Sequence, residues 1–236
     1  MTNKKNHLTI LGVAAHPDDL DFTASGSFAK WVKEGDSCYY LICTDGSRGS
    51  DDPKMTAEKL IALRKKEQKD AAGILGLKDV FFLNHTDTQL AADLTLKKEI
   101  VRFIRKLKPD IVVTLDPTFV YSKHRGFINH TDHRACGQAA LDAIFPLARD
   151  RLTFQELEKE GLFPHKVKMA YLTNFDDPTD TVDISDTIDI KIQALKAHKT
   201  QVTEKALVRI KKWSGILGKK KGYRFAEGFV KLTLPA

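Results

Sequence analysis

Two short clusters of histidine and aspartate stand out in this 236-residue chain: His16-Pro17-Asp18-Asp19 and Asn129-His130-Thr131-Asp132-His133. Imidazole nitrogen and carboxylate oxygen, without thiolate, form the ligand set of a hydrolytic Zn2+ site, and nickel, cobalt or iron also accept it. His16 and Asp19, three residues apart across a proline turn, can supply two ligands, and one histidine of the second cluster the third. Three protein ligands leave a position open for water, which zinc acidifies to a pKa of about 7. Asp18 and the remaining histidine then stand beside the metal. A carboxylate off the metal suits a general base, and a protonated imidazole suits a developing oxyanion or the leaving group. Taken singly, each cluster has a plainer use, because an Asp after a proline turn or at a helix start is a common cap. The chemistry depends on whether the fold makes the two clusters meet.

The elements that would position them alternate. Residues 8–15 are a short, nearly continuous apolar run, as in a parallel strand covered on both faces. Residues 22–34 have helical spacing, and 38–43 read as a second strand ending in a Gly-rich turn. Residues 56–75 read as a long amphipathic helix, with Gly76 where a C-terminal cap belongs. Strands are expected at 80–83 and 111–115, around a helix at 95–107 that Pro109 stops. A polar stretch over 116–129 precedes a helix at 131–149. Beyond it lie a strand at 168–173, an acidic loop at 176–183, helices at 186–197 and 202–212, and a strand at 228–234.

This order predicts an α/β fold: a Rossmann-like open, mainly parallel sheet flanked by helices, with a C-terminal helical and strand elaboration. No repeat or linker divides the chain, so residues 1–236 read as a single domain. Ligands of such sheets bind beyond the carboxyl ends of the strands where the strand order reverses, expected here between the first and fourth strands. Both clusters follow those strands, so the fold places them on either side of one crevice. Neither the G-x-G-x-x-G nucleotide fingerprint nor the G-x-x-x-x-G-K-[ST] phosphate loop follows the first strand.

Composition narrows the class further. With 42% apolar and 29% charged residues, the chain is neither collagen-like nor largely disordered. No run approaches the roughly 18 apolar residues of a membrane span. Lys4-Lys5 before residues 8–15 imitates a short signal peptide, but the run leads straight into His16-Pro17 and reads as a buried first strand. Cys38, Cys43 and Cys136 form no C-x-x-C pair and read as reduced, buried residues of a cytoplasmic protein. The formal charge of +7 is local: residues 191–221 carry +9, leaving −2 for the rest. No aromatic platform is interleaved with those lysines, so a solvated helical face and a lysine-rich loop outweigh nucleic-acid binding.

The clusters resemble signatures of a known family. Ala15-His16-Pro17-Asp18-Asp19 resembles the A-H-P-D-D motif of the PIG-L/LmbE-like zinc-dependent de-N-acetylases, and His130-Thr131-Asp132-His133-Arg134 resembles their H-P-D-H-R segment. Weaker similarities follow in the same order: Arg64-Lys65-Lys66-Glu67 with Leu75-Gly76, Pro109-Asp110-Ile111-Val112-Val113, Lys191 to Gln201 with Ala194, Leu195 and His198, and Ala226-Glu227-Gly228-Phe229. The resemblance implies zinc held by His16, Asp19 and His133, Asp18 as general base, and His130 stabilising the tetrahedral intermediate. It further implies that Arg64 reaches the sugar hydroxyls of a small-molecule amino-sugar substrate, and that the acetamide of an N-acetylglucosamine conjugate is hydrolysed. It also admits a homo-oligomer.

After the second strand the family reads T-D/N-G-E-x-G, where this chain has Thr44-Asp45-Gly46-Ser47-Arg48-Gly49. Tyr121, His124, Arg125 and Phe127 are expected near the pocket entrance. Arg48, His124 and Arg125 beside Arg64 would suit a carboxylate or phosphate on the ligand. Two other functions are compatible with parts of the chain. A metal-dependent hydratase acting on an unsaturated dicarboxylic acid would use the same water and base. A non-enzymatic anion-binding protein would use the basic segment and survive loss of His16.

Overall fold

The computed structural model describes residues 7–123, 126–174 and 176–235, so Lys4, Lys5, His124 and Arg125 lie outside the described residues. Strand β1 (Thr9–Ala14) is buried on both faces: Leu11 and Val13 join one core cluster, Ile10 and Ala14 the other. That alternation across a covered strand is why the segment reads as an unbroken apolar run. Helices α1 (Asp19–Thr23) and α2 (Ser25–Lys33) follow, then β2 (Ser37–Thr44). The single helix expected over 22–34 is thus two, broken at Ala24. The cause is tertiary, since the Glu227 carboxylate accepts from the backbone N–H of Gly26 (3.0 Å) and Ser27 (2.7 Å) and starts a new helix there.

Helix α3 (Ala57–Leu75) has Thr56 as its N-cap, accepting from Lys59 N–H, and ends at Gly76 with φ 77°, the left-handed cap anticipated for that glycine. Strand β3 (Asp79–His85), helix α4 (Leu94–Leu107) and strand β4 (Ile111–Leu115) complete the regular first half. The polar stretch after β4 contains a small hairpin of β5 (Tyr121–Ser122) and β6 (Phe127–Ile128). Helix α5 (Thr131–Asp142) is shorter than the helix expected to reach residue 149. A one-turn segment over Ala143–Leu147 contains Pro146, and Phe145 before it is extended, as proline demands of its predecessor. The carbonyls released there are gathered by Arg105, 1% exposed, which donates to the oxygens of Leu147, Ala148, Asp150, Thr153 and Phe154.

Strand β7 (Met169–Thr173) is followed by β8 (Asp180–Asp183), which occupies part of the segment expected to be a loop. Helices α6 (Ile188–Ala197) and α7 (Glu204–Lys220) precede β9 (Ala226–Thr233). Helix α7 runs through Lys219 and Lys220, where a loop was expected. Its Leu207 and Ile210 pack with Leu195 of α6, while its Lys and Arg side chains point outward, as the solvated-face reading requires.

The sheet order is β3-β2-β1-β4-β7-β9-β8. The first five strands are parallel, and β9 runs antiparallel to both β7 and β8. This is the expected α/β architecture with its C-terminal elaboration. β1 and β4 are neighbours, so the strand order reverses between them, and the two chemical clusters leave the sheet side by side.

Helix α5 carries the second cluster and lies close against the end of β4. A Cβ on Gly137 would sit 2.2 Å from the Leu115 carbonyl oxygen, a contact with backbone that no rotamer change can relieve. Gly137→Ala is expected to push α5 outward, destabilise the fold by about 3 kcal/mol and weaken metal binding in parallel. Urea unfolding and metal titration of the same variant check it. A stable variant with undiminished metal affinity would show that α5 has slack there.

Candidate metal centre

The clusters meet as the sheet topology requires. One ligand atom from each of His16, Asp19 and His133 lies within 4.8 Å of the other two. His133 Nε2 is 3.0 Å from Asp19 Oδ1, and His16 Nδ1 is 3.5 Å from Asp19 Oδ2. Two ligands at about 2.1 Å from a shared ion, at the tetrahedral angle, stand about 3.4 Å apart, so the spacing fits a divalent transition metal. The donor set, two imidazoles and a carboxylate, fits as well.

The outer hydrogen bonds fix which nitrogen faces inward. His16 Nε2 lies 3.0 Å from Asp87 Oδ1 and 3.2 Å from Asp132 Oδ2, so it carries hydrogen and leaves Nδ1 for the centre. His133 Nδ1 lies 2.9 Å from Asn129 Oδ1, which leaves Nε2 for the centre. Burial alone would lower the His16 pKa, but Asp19 first, then Asp132 and Asp87, outweigh it and push the imidazole up to about 12. Burial would raise Asp19, but His133 and then His16 hold it well below the usual carboxylate range. A cation of charge two would take over the role of those protons.

His16, Asp87, His130 and Asp132 form a second compact set. The carboxylates there serve the backbone: Asp132 accepts from Thr88 N–H (2.7 Å) and Leu90 N–H (3.3 Å), and Asp87 from Arg48 N–H (3.1 Å). This set therefore orients His16 from behind and ties the loop after β3 to the site. Asp132, fully buried, is no helix cap; that position is taken by His130, whose Nδ1 accepts from Asp132 N–H at 3.1 Å. Accepting at Nδ1 leaves the His130 Nε2 with the hydrogen. Burial first, then the neighbouring His16, lowers the His130 pKa. The His130 and His16 rings meet edge-on, with centroids 4.7 Å apart.

Asp18 is held in an unusual way. Its φ is 96°, a left-handed conformation that a non-glycine residue adopts only when its surroundings enforce it. Gln68 Oε1 accepts its N–H at 2.8 Å, and Arg64 donates to its Oδ2 at 3.3 Å. Burial raises the Asp18 pKa to about 6, against the pull of Arg64. Arg64 is 4% exposed and also donates to the carbonyls of Pro17 (2.8 Å) and Gly46 (3.1 Å). The structure thus puts Arg64 next to Asp18, with its guanidinium engaged by protein groups. Arg48 is an exposed residue of the loop after β2.

A cleft of about 630 Å³ opens over the cluster, lined at its floor by Asp19 and His133. Phe119 and Phe127 line one wall, so Phe127 is where the sequence placed it; Tyr121 is exposed and does not line the cleft. Phe22 of α1 and Arg209, Ile210 and Trp213 of α7 also line it. Sequence reasoning missed Asp87, the part Asn129 plays behind His133, and the α7 residues. Asp87 follows the carboxyl end of β3, a position the strand-end rule would have flagged had it been applied to every strand. The three cysteines are buried and unbridged; burial, then Asp36, pushes Cys38 up to about 12, and the Cys43 contact, then burial, holds Cys136 well above the ordinary thiol value.

The pattern of the PIG-L family, described as GlcNAc-PI de-N-acetylase, matches residues 11–144, which hold both clusters. The chain belongs to the PIG-L family. A PIG-L relationship is also visible over nearly the whole chain. Diacetylchitobiose deacetylase of Thermococcus kodakarensis is 32% identical over 226 residues, covering 93% of this chain and 81% of that protein. The N,N'-diacetylchitobiose deacetylase of Pyrococcus horikoshii, solved with its inhibitor MPG, superposes with a TM-score of 0.88 at 27% identity, covering 97% of this chain and 85% of the other. GalB, the 4-carboxy-2-hydroxymuconate hydratase of Pseudomonas putida KT2440, superposes with a TM-score of 0.78 at 19% identity, covering 97% and 98% of the two chains. Likeness at that identity concerns the fold alone.

Within this PIG-L site the residues that support the candidate ligands can be tested separately from them. Asn129→Ala is expected to weaken metal affinity by about 10–100-fold, the usual cost of losing an outer hydrogen bond to a ligating histidine, while His133→Ala removes binding outright. Competition with a chromophoric chelator measures both. Equal losses in the two variants would contradict the assigned order of contacts.

Proposed function

We propose that this chain is a zinc-dependent hydrolase that removes the N-acetyl group from an N-acetylglucosamine-type sugar or glycoconjugate. The observation that carries the proposal is the His16, Asp19 and His133 cluster with the strained Asp18 beside it, in a chain of the PIG-L family. His16 Nδ1, Asp19 and His133 Nε2 would hold a divalent cation, which when bound would supply a Lewis acid and an acidified water. Asp18 takes the proton from the attacking water and returns it to the nitrogen as the C–N bond breaks, giving acetate and a free amine. His130 donates its Nε2–H to the carbonyl oxygen as charge develops there. Arg64 holds the Asp18 carboxylate from behind through its 3.3 Å contact. Arg48 is the rim cation proposed to face the substrate, and His124 and Arg125, proposed alongside it, lie outside the described residues.

Residues 1–236 are proposed to act as one domain, a reading supported by β9 joining the parallel half of the sheet to β8. No helix among the described residues is long and apolar enough to cross a membrane. Three unbridged buried thiols support a cytoplasmic setting. Acetate release from N-acetylglucosamine, diacetylchitobiose and a carboxylate-bearing N-acetylglucosaminide tests the activity, with chelator-stripped protein as control. Release from any of the three that returns with zinc is the expected result. Silence on all three from protein holding one equivalent of zinc would overturn the proposal.

A further inference from the structure

Arg64 and Gln68 lie one turn apart on α3 and share a buried face of that helix. Between them they grip a single peptide group, the one joining Pro17 to Asp18. Arg64 donates to its carbonyl oxygen at 2.8 Å, and Gln68 Oε1 accepts from its N–H at 2.8 Å. On the far side of the residue, the Asp18 carbonyl accepts from Phe22 N–H at 3.0 Å. The backbone of Asp18 is thus fixed from both sides, at a φ of 96°. A left-handed aspartate persists only where its surroundings over-determine it. The direction of its carboxylate depends on this grip as well as on the Arg64 contact to Oδ2.

The Gln68 amide can serve only one way round. Its Nε2 donates to Asp21 Oδ2 at 2.8 Å, and His198 Nε2 lies 3.0 Å from the same oxygen. A carboxylate oxygen only accepts, so Asp21 claims the amide NH2 and leaves Oε1 for Asp18. Turned over, the amide would set donor against donor at Asp18 and acceptor against acceptor at Asp21. Gln68 is 1% exposed, Asp21 and His198 are fully buried, and none of the three lines the cleft over the cluster. His198 arrives from the end of α6, 177 residues along the chain from Asp21. A buried histidine–aspartate pair is a weak source of stability, because desolvation offsets its attraction, so stability alone does not account for it. We propose that Gln68, Asp21 and His198 are positioning residues: His198 orients Asp21, Asp21 orients the Gln68 amide, and Gln68 holds Asp18 in the conformation from which it serves as base. The assignment rests on the deacetylase reading for the role of Asp18. Asp19 is tied separately, by the His16 N–H at 2.7 Å, so the relay governs turnover and leaves metal binding alone.

Gln68→Met keeps the length of the side chain and removes both of its hydrogen bonds. In the zinc-loaded full chain it should lower kcat for acetate release about a hundred-fold, as a displacement of about 1 Å at a reacting group does, with KM unchanged. Zinc affinity should stay within about three-fold, well short of the roughly 10–100-fold that losing an outer partner of a ligand costs. His198→Leu should lower kcat about ten-fold. His198→Gln, whose amide Nε2 stands as many bonds from Cβ as the imidazole Nε2, should restore most of it. Thr187→Val removes a buried contact to the Gly26 carbonyl (2.7 Å) at the other end of α6, and should lower stability while leaving kcat alone. Hydrogen exchange at the residue 18 amide, followed by NMR, is the readout free of turnover. That amide should be protected in wild type and lose about ten-fold or more of its protection in Gln68→Met, with the amides of α3 unaltered. Three results would each overturn the relay: a wild-type residue 18 amide that exchanges like an exposed one, a folded and zinc-loaded Gln68→Met with kcat within about three-fold of wild type, or equal kcat in the two His198 variants. If Gln68→Met does not fold, the wild-type amide and the His198 pair decide the matter. A protected amide without acetate release from wild type would leave the grip on Asp18 standing and sink the deacetylase reading; release with an unprotected amide would do the reverse.

Discussion

Asparagine at position 18 should leave the protein folded and charged with one equivalent of metal, yet slow turnover about a thousand-fold, within the range expected for loss of a general base. The substitution is chosen for what it preserves. The Gln68 contact is to the residue 18 backbone N–H, and asparagine is among the few residues that tolerate a φ of 96°. An amide oxygen can still accept from Arg64 where Asp18 Oδ2 now does, at 3.3 Å. The three proposed ligands are untouched. What disappears is a group able to take a proton from water and hand it to the departing amine. Alanine at the same site would confound the test, because it forfeits the Arg64 contact and tolerates the left-handed backbone poorly. Metal content by elemental analysis and initial rates of acetate release decide the matter. Near-normal rates with one equivalent of metal bound would remove Asp18 from the mechanism.

The second large effect concerns stability. Lys191 and Glu227 are 1% and 4% exposed, and Lys191 Nζ lies 2.6 Å from Glu227 Oε1. The ammonium also donates to the Phe22 carbonyl at 2.7 Å, and the carboxylate receives Ser27 Oγ at 2.6 Å in addition to the two backbone N–H groups at the start of α2. Glu227→Ala leaves a buried ammonium without its counter-charge and α2 without its cap, so a loss of about 3–5 kcal/mol is expected. The double variant Lys191→Met with Glu227→Gln removes both charges while keeping much of the shape. It should recover a good part of the loss, since a buried pair replaced as a unit costs far less than one broken in half. Urea unfolding of wild type, Lys191→Met, Glu227→Gln and the double variant closes the cycle, with Glu227→Ala measured beside it. If the double variant is as unstable as Glu227→Ala, the cap on α2 matters and the charge pairing does not.

How much of this was legible in the chain differs from residue to residue. The meeting of the two clusters was, because alternating strands and helices imply a doubly wound parallel sheet whose order reverses between the first and fourth strands. The third proposed ligand was not legible from spacing, since His130 and His133 are equally placed in sequence. The geometry separates them, with His133 Nε2 turned to Asp19 and His130 Nδ1 capping α5. Arg64 was read as a substrate contact, yet its donors meet the carbonyls of Pro17 and Gly46, and backbone carbonyls have no sequence signature. The break at Ala24 is invisible for a related reason, because the carboxylate that causes it arrives from 200 residues away. Strands of two residues, such as β5 and β6, are too short to express any period. Helix α7 was read through its charge, and the charge concealed the indole that reaches the cleft.

The position of β9 in the sheet has a consequence for synthesis on the ribosome. All the proposed ligands and their supports, from His16 through His133, lie within the segment that ends with β7, and the five strands that this segment gives to the main sheet pair in parallel with one another. β8 has β9 as its partner in the sheet, and Lys191 on α6 has Glu227 on β9. Residues 180–183 and the buried ammonium of Lys191 therefore wait, unpartnered by these groups, until residues 226–233 have left the exit tunnel. The half that carries the proposed metal ligands can take shape early in translation, while the start of α2 and the seat of α6 are fastened last.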